Sequence, residues 1–183
     1  MVADLDTLST HVANYAARCA EKLRAQHSVA SVVGVFLHTN SFREDLGQYW
    51  NFEETRILTP THSTATLVQT AKGVLKRIFQ PGYQYKKAGV IVMGVSPESP
   101  VQQDLFDVTA DQYGKARALD EALDRINRTY GSETIVLGAQ QYTRQGGEGK
   151  AGVFADAIKH EYKSPNPTTR WCDIIKLKAG DKE

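Results

Sequence analysis

Apolar residues recur at three- and four-residue steps at Leu5, Leu8, Val12, Tyr15 or Ala16, Cys19 and Leu23. That spacing predicts an amphipathic helix with one buried stripe. Asp4 is placed to cap it, Asp6 suits its positive end, and Arg18, Lys22 and Arg24 suit its negative end. Cys19 falls on the stripe and reads as a small core residue rather than a nucleophile. Residues 29–37 are β-branched and apolar over strand length and end at the polar turn His38-Thr39-Asn40-Ser41. A second strand is predicted over 49–60, with Thr55, Ile57 and Thr59 on one face and Arg56 and Leu58 on the other. Residues 64–79 form a second amphipathic helix striped by Leu67, Ala71, Val74 and Ile78, with Ser63 as its cap and Pro81-Gly82 as its stop. The run 83–95 is a third strand with an apolar middle.

Helix, strand, strand, helix, strand predicts an α+β fold, with two helices on one face of an antiparallel sheet. A split β-α-β unit carries a fourth strand. Only Met1-Val2-Ala3 precede the first helix, so the expectation is a truncated piece of a longer chain, its sheet edge left open or closed by another copy. Residues 96–100 (Ser-Pro-Glu-Ser-Pro) read as a linker because proline interrupts both helix and strand. A third helix follows over 110–130, striped by Ala116, Leu119, Leu123, Ile126 and Tyr130, with Gly131 as its cap. A short strand is predicted at 134–138 and a mobile Gly- and Gln-rich loop at 140–152. The division is residues 1–96, a linker at 97–109, and a small helical or mixed C-terminal domain at 110–183.

Composition narrows the function classes. Of 183 residues, 41% are hydrophobic and 23% charged, as in a folded globular chain. Cys19 and Cys172 make neither a disulfide framework nor a complete zinc site. No apolar run approaches the ~20 residues of a membrane span, and the acidic start lacks the layout of a secretory signal. The expectation is a cytoplasmic protein with no membrane partner, metal or cofactor of its own. Net charge is only +1, yet residues 55–97 contain no Asp or Glu while holding Arg56, Lys72, Lys76, Arg77, Lys86 and Lys87. Such a block attracts a polyanion unless counter-charges lie nearby in space.

Catalytic signatures are missing. His11, His27, His38, His62 and His160 show no metal-ligand spacing, and no serine lies in a Gly-x-Ser-x-Gly elbow. Residues 146–151 (Gly-Gly-Glu-Gly-Lys-Ala) miss a phosphate loop twice: Arg144 stands where the first glycine belongs, and Ala151 replaces the Mg²⁺-binding hydroxyl. Two-metal nucleotidyl transfer needs clustered carboxylates, and the predicted strands offer only Glu53 and Glu54.

Binding chemistry is better represented. Thr39, Asn40, Ser41 and Arg43 gather donors after the first strand; Arg56, Thr59 and Thr61 line the second; Lys86 and Lys87 open the third. Hydroxyls, amides and cations on adjacent strands suit a DNA backbone held without sequence reading. Gln102-Gln103-Asp104-Leu105-Phe106 resembles the bacterial sliding-clamp peptide Gln-Leu-(Ser/Asp)-Leu-Phe, with Gln103 in place of its leucine. In such peptides the Leu-Phe pair fills an apolar pocket while the glutamine fixes register.

Several phrases resemble one family together. They are Val12–Arg24 in the first helix, Leu37-His38-Thr39-Asn40-Ser41-Phe42, Ile57-Leu58-Thr59-Pro60-Thr61, and Tyr85-Lys86-Lys87-Ala88-Gly89-Val90. Leu123-Asp124-Arg125-Ile126-Asn127 and Ser164-Pro165-x-x-Thr168-Thr169-Arg170-Trp171 follow in order. The chain is similar, nearly end to end, to the little-finger domain and C-terminal extension of UmuC-type Y-family translesion DNA polymerases. The resemblance implies a non-catalytic part of an error-prone polymerase of the SOS response, gripping primed, damaged duplex DNA by its backbone. On it, Lys86 and Lys87 match phosphate-contacting positions, with Thr39, Ser41, Thr59 and Thr61 as companions. Gln102, Leu105 and Phe106 would dock on the β sliding clamp. The carboxylates that bind the parent polymerase's Mg²⁺ lie in its palm, outside this sequence. The competing expectation is an interaction module for SOS partners such as UmuD′ or RecA, with no direct DNA role.

Overall fold

The computed structural model describes residues 1–98, 110–131 and 134–140. Their elements are α1 (Leu5–Ala25), β1 (Ser28–Thr39), β2 (Trp50–Thr61), α2 (Thr64–Ile78), β3 (Tyr85–Met93), β4 (Ser96–Pro97) and α3 (Ala110–Tyr130), followed by a short 3-10 turn (Gly138–Gln140). The clamp-like residues Gln102, Leu105 and Phe106, and the segment Ser164-to-Trp171, lie outside the described residues.

β1 is the central strand, antiparallel to β2 on one side and β3 on the other, and the short β4 pairs with its beginning. Both α1 and α2 cover one face of this sheet. The core between them is Leu8, Val12, Ala16, Ala20 and Leu23 of α1, Val33, Val35 and Leu37 of β1, and Leu67, Ala71, Val74, Leu75 and Ile78 of α2. The α+β expectation is therefore met.

Local chemistry explains most boundaries. The Asp4 carboxylate accepts the Thr7 N–H at 2.7 Å and caps α1 as expected. Gly131 closes α3 with a φ of 111°, a left-handed conformation that costs a glycine nothing.

Four details differ from the sequence reading. The buried stripe of α1 runs through Ala16 and Ala20, while Tyr15 is 41% exposed and Cys19 only half-buried; small residues let α1 lie closer to α2. Burial nonetheless pushes the Cys19 thiol above its ordinary pKa, against the pull of Lys22. Ser63 makes no side-chain capping bond to α2. Ser96-Pro97, expected as linker, forms the edge strand β4, where a proline costs no needed ladder donor. Finally, 134–138 is not a strand: it bends back, Asn127 pairs with the backbone of Ile135 in both directions, and the buried Gln140 donates to Asn14 of α1.

The residues ahead of α1 do reach the sheet. Val2 pairs with Tyr85 through reciprocal backbone bonds of 2.8 and 2.9 Å.

Candidate nucleic-acid interface

Because side chains alternate along a strand and directly paired residues share a face, the register defines the sheet face opposite the helices. It carries four cross-strand rows. The first is Trp50, His38 and Lys87; the second Phe52, Phe36 and Gly89; the third Glu54, Gly34 and Ile91; the fourth Arg56, Val32 and Met93. Leu58 extends it on β2 and is 97% exposed.

The glycines on this face are steric necessities. A Cβ on Gly89 would sit 2.4 Å from the tip of the Phe36 ring, and one on Gly34 would sit 2.6 Å from Phe52. Each ring leans across the neighbouring strand into the space a side chain would fill, so both lie over the sheet. His38 meets Phe36 edge-on at 5.5 Å and Trp50 at 5.7 Å between centroids.

The residues singled out from the sequence separate into groups. Lys87 and Arg56 are exposed on this face at its two ends, six β1 residues apart, or roughly 20 Å. Thr59 and Thr61 alternate to the other side of β2, and the Thr61 hydroxyl accepts the Ser63 N–H. The irregular register at Thr39–Tyr85 falls at Lys86, which is exposed beside Lys87. The polar cluster after β1 lies at the Lys87 end but is occupied in holding its own loop. The Thr39 hydroxyl accepts Tyr49 N–H and donates to Gln48, Asn40 accepts the Phe42 N–H, and Arg43 pairs with Asp45 at 2.6 Å. Ser41 is exposed at the tip.

The acid-free stretch is likewise divided. Arg77 reaches back to Glu53 and Thr55, so a counter-charge just outside the stretch claims it. Lys72 and Lys76 ride on α2, behind the sheet. Among the described residues, Arg56, Lys86 and Lys87 form no ion pair.

Sequence reasoning missed two features. The aromatic rows were readable as the alternating pairs Phe36/His38 and Trp50/Phe52, but only register shows that they meet. The second is a buried charge cluster under α3. Arg24 binds Asp124 with two bonds of 2.6 and 2.7 Å and donates to the His62 carbonyl and Thr64 hydroxyl, with Asp120 at 3.7 Å. Burial works against the charge on Arg24, but the Asp124 bonds and the Asp120 charge outweigh it and raise its pKa further. The face α3 turns inward is thus largely polar. Leu119 and Tyr130, expected on its buried stripe, are 56% and 75% exposed.

Comparison with known proteins places this geometry. Residues 1–105 match the impB/mucB/samB family C-terminal domain, and residues 117–177 match a domain of unknown function, DUF4113. The chain is 32% identical to protein UmuC of Salmonella typhimurium over 97% of its own length and 39% of that protein. It is 31% identical to protein MucB and to protein SamB, both of Salmonella typhimurium, over 94% of its length and 38% of theirs. The chain therefore spans about two fifths of the curated relatives it matches.

Proposed function

The chain belongs to the impB/mucB/samB family, whose C-terminal domain it carries over residues 1–105, and on that premise we propose that it is a DNA-holding region of an error-prone translesion polymerase. It grips primed duplex by its phosphates and performs no chemistry itself; nucleotidyl transfer and its Mg²⁺ belong to the palm of the parent enzyme. The observation that carries this reading is the set of exposed cations Arg56, Lys86 and Lys87, each without an ion pair among the described residues. Exposed cations left unpaired attract phosphates irrespective of base sequence.

Salt titration of binding to primed duplex tests it. Affinity falls steeply with salt, and Lys86→Ala with Lys87→Ala lowers it by the same factor on every sequence. The double change also flattens the log–log salt slope by about 2, close to one for each phosphate charge left without its lysine. Unchanged affinity overturns the placement of the DNA surface.

Gln102, Leu105 and Phe106 would tether the assembly to the β sliding clamp. Leu105→Ala with Phe106→Ala abolishes co-elution with the clamp ring, and retained co-elution refutes the assignment. A second reading, docking of SOS partners such as UmuD′ or RecA without DNA, draws on the 97% exposure of Leu58. Partner binding beside undetectable or salt-insensitive DNA binding favours it.

A further inference from the structure

We propose that the aromatic end of the open sheet face is a stacking platform for unpaired bases, and that its occupant is a single-stranded DNA segment. This rests on the DNA-binding reading and deepens it: the duplex backbone is one ligand of the domain, and exposed bases of an unpaired strand are another. Two adjacent rows make the platform. Trp50, His38 and Lys87 form one, and Phe52, Phe36 and Gly89 the other.

Three observations converge. The first is ring orientation. Gly89 and Gly34 give up their side-chain space to Phe36 and Phe52, so these rings lie over the sheet instead of standing upright from it. A ring laid over the neighbouring strand leaves aromatic surface on the open face, which is what a base needs to stack. The second is exposure. Trp50 is 63% exposed on this face and meets His38 edge-on. An indole in water beside further rings is a large apolar surface left uncovered. The third is charge. Lys87 shares a row with Trp50 and His38, and Lys86 adjoins it, so cations border the rings where a strand's phosphates would pass. Glu54, the one carboxylate in the four rows, lies in the third, beyond the Phe52–Phe36 row and away from the Lys87 end. The two aromatic rows stand about 6.8 Å apart, a spacing open to bases splayed apart but not to the continuous stack of a duplex. Stacking tolerates any base, which fits an interface with no base-edge readout.

The test uses the full 183-residue chain with Trp171→Phe, leaving Trp50 as its one indole, and two probes: a deoxythymidine oligonucleotide and a blunt duplex. The oligonucleotide is expected to quench Trp50 fluorescence on binding. Trp50→Ala should weaken oligonucleotide binding about ten- to a hundredfold, the loss of one stacked base. Trp50→Phe should restore most of it, and duplex affinity should change less than about twofold. Trp50 is largely exposed, so these variants keep the core. Phe36→Leu gives a second arm, weakening the oligonucleotide alone. Binding of the oligonucleotide without quenching, or with equal affinity in Trp50→Ala, overturns the platform while the backbone reading stands. Equal losses on oligonucleotide and duplex overturn it too. Failure of both probes to bind at low salt overturns both readings together.

Discussion

Arg24, at the end of α1, holds Asp124 of α3 in a two-bond grip across 100 residues of chain. The same guanidinium touches the His62 carbonyl and the Thr64 hydroxyl where β2 passes into α2. One side chain therefore joins three segments. It is 9% exposed, and Asp120 beside it 6%, so neither charge has water to fall back on. Arg24→Met removes the cation and strands two carboxylates, and breaking such a pair costs about 3–5 kcal/mol. Hydrogen exchange should show α3 giving up its protection first, while the β1 amides exchange more slowly. A uniform drop across both would mean that the cluster supports the whole domain.

Asp120 does a second job. Its carboxylate accepts the Thr64 N–H at the first turn of α2, where Ser63 offers no side-chain bond. A cap supplied from another helix replaces the local one. Asp120→Ala should therefore destabilise the chain by more than the ~1 kcal/mol typical of removing a cap, since it also deprives Arg24 of a neighbour. Ser63→Ala should be close to neutral. Denaturant midpoints of the two variants decide the order, and equal effects refute the exchange of roles.

On the open face, Gly89 and Phe36 occupy one volume between them. Gly89→Ala drives a methyl to 2.4 Å from the ring tip, forcing the ring upright at a cost of about 1–3 kcal/mol. The penalty should shrink to within about 0.5 kcal/mol in a Phe36→Ala background, a non-additivity read by a double-mutant cycle. Full additivity would show that the glycine serves its backbone and not the ring.

Much of this was legible in the chain itself, for a physical reason. Helix and strand periods are local properties, so they define α3 at its observed limits and identify Asp4 and Gly131 as caps. Side-chain alternation also places Thr59 and Arg56 on opposite faces of β2. What could not be read was register. Thr59, Thr61 and Lys87 read as one surface because all three are polar or charged and lie on strands of one sheet, yet alternation along β2, with Thr61 paired to the buried Ala30, sends the threonines to the other side from Lys87. Charge misleads likewise: Arg24 reads as a dipole-compensating cation, and its partner lies 100 residues on. Leu119 and Tyr130 fit a helical stripe, but Asp120 and Asp124, about a quarter-turn or more round the helix from it, decide which side of α3 turns inward. Periodicity counts hydrophobic residues and is blind to a buried salt bridge.

Stability should fall at both ends of the pH scale, through different residues. Hydrogen bonds from the backbone and side chain of Thr7 hold the Asp4 carboxyl below its ordinary range, and the Arg43 hydrogen bond does the same for Asp45. For a lowered carboxylate pKa the unfolded chain binds more protons in acid. Its stabilisation is present above about pH 4 and lost as pH falls through the folded value. Tyr85 has the opposite sense. Its ring is buried in the core, and burial pushes its pKa up; the hydroxyl donates to the Gln80 carbonyl and accepts the Gln80 N–H. The folded state then keeps its proton longer than the unfolded one, so this contribution is present below about pH 10 and lost as pH rises through the folded value. Melting temperatures across pH should show Asp4→Ala flattening the acid limb only, and Tyr85→Phe flattening the alkaline limb only. Tyr85→Phe also lowers the plateau by roughly 1 kcal/mol, the worth of the hydrogen bonding it removes. An alkaline limb unchanged in Tyr85→Phe would assign that transition to another group and leave the buried hydroxyl a purely structural part.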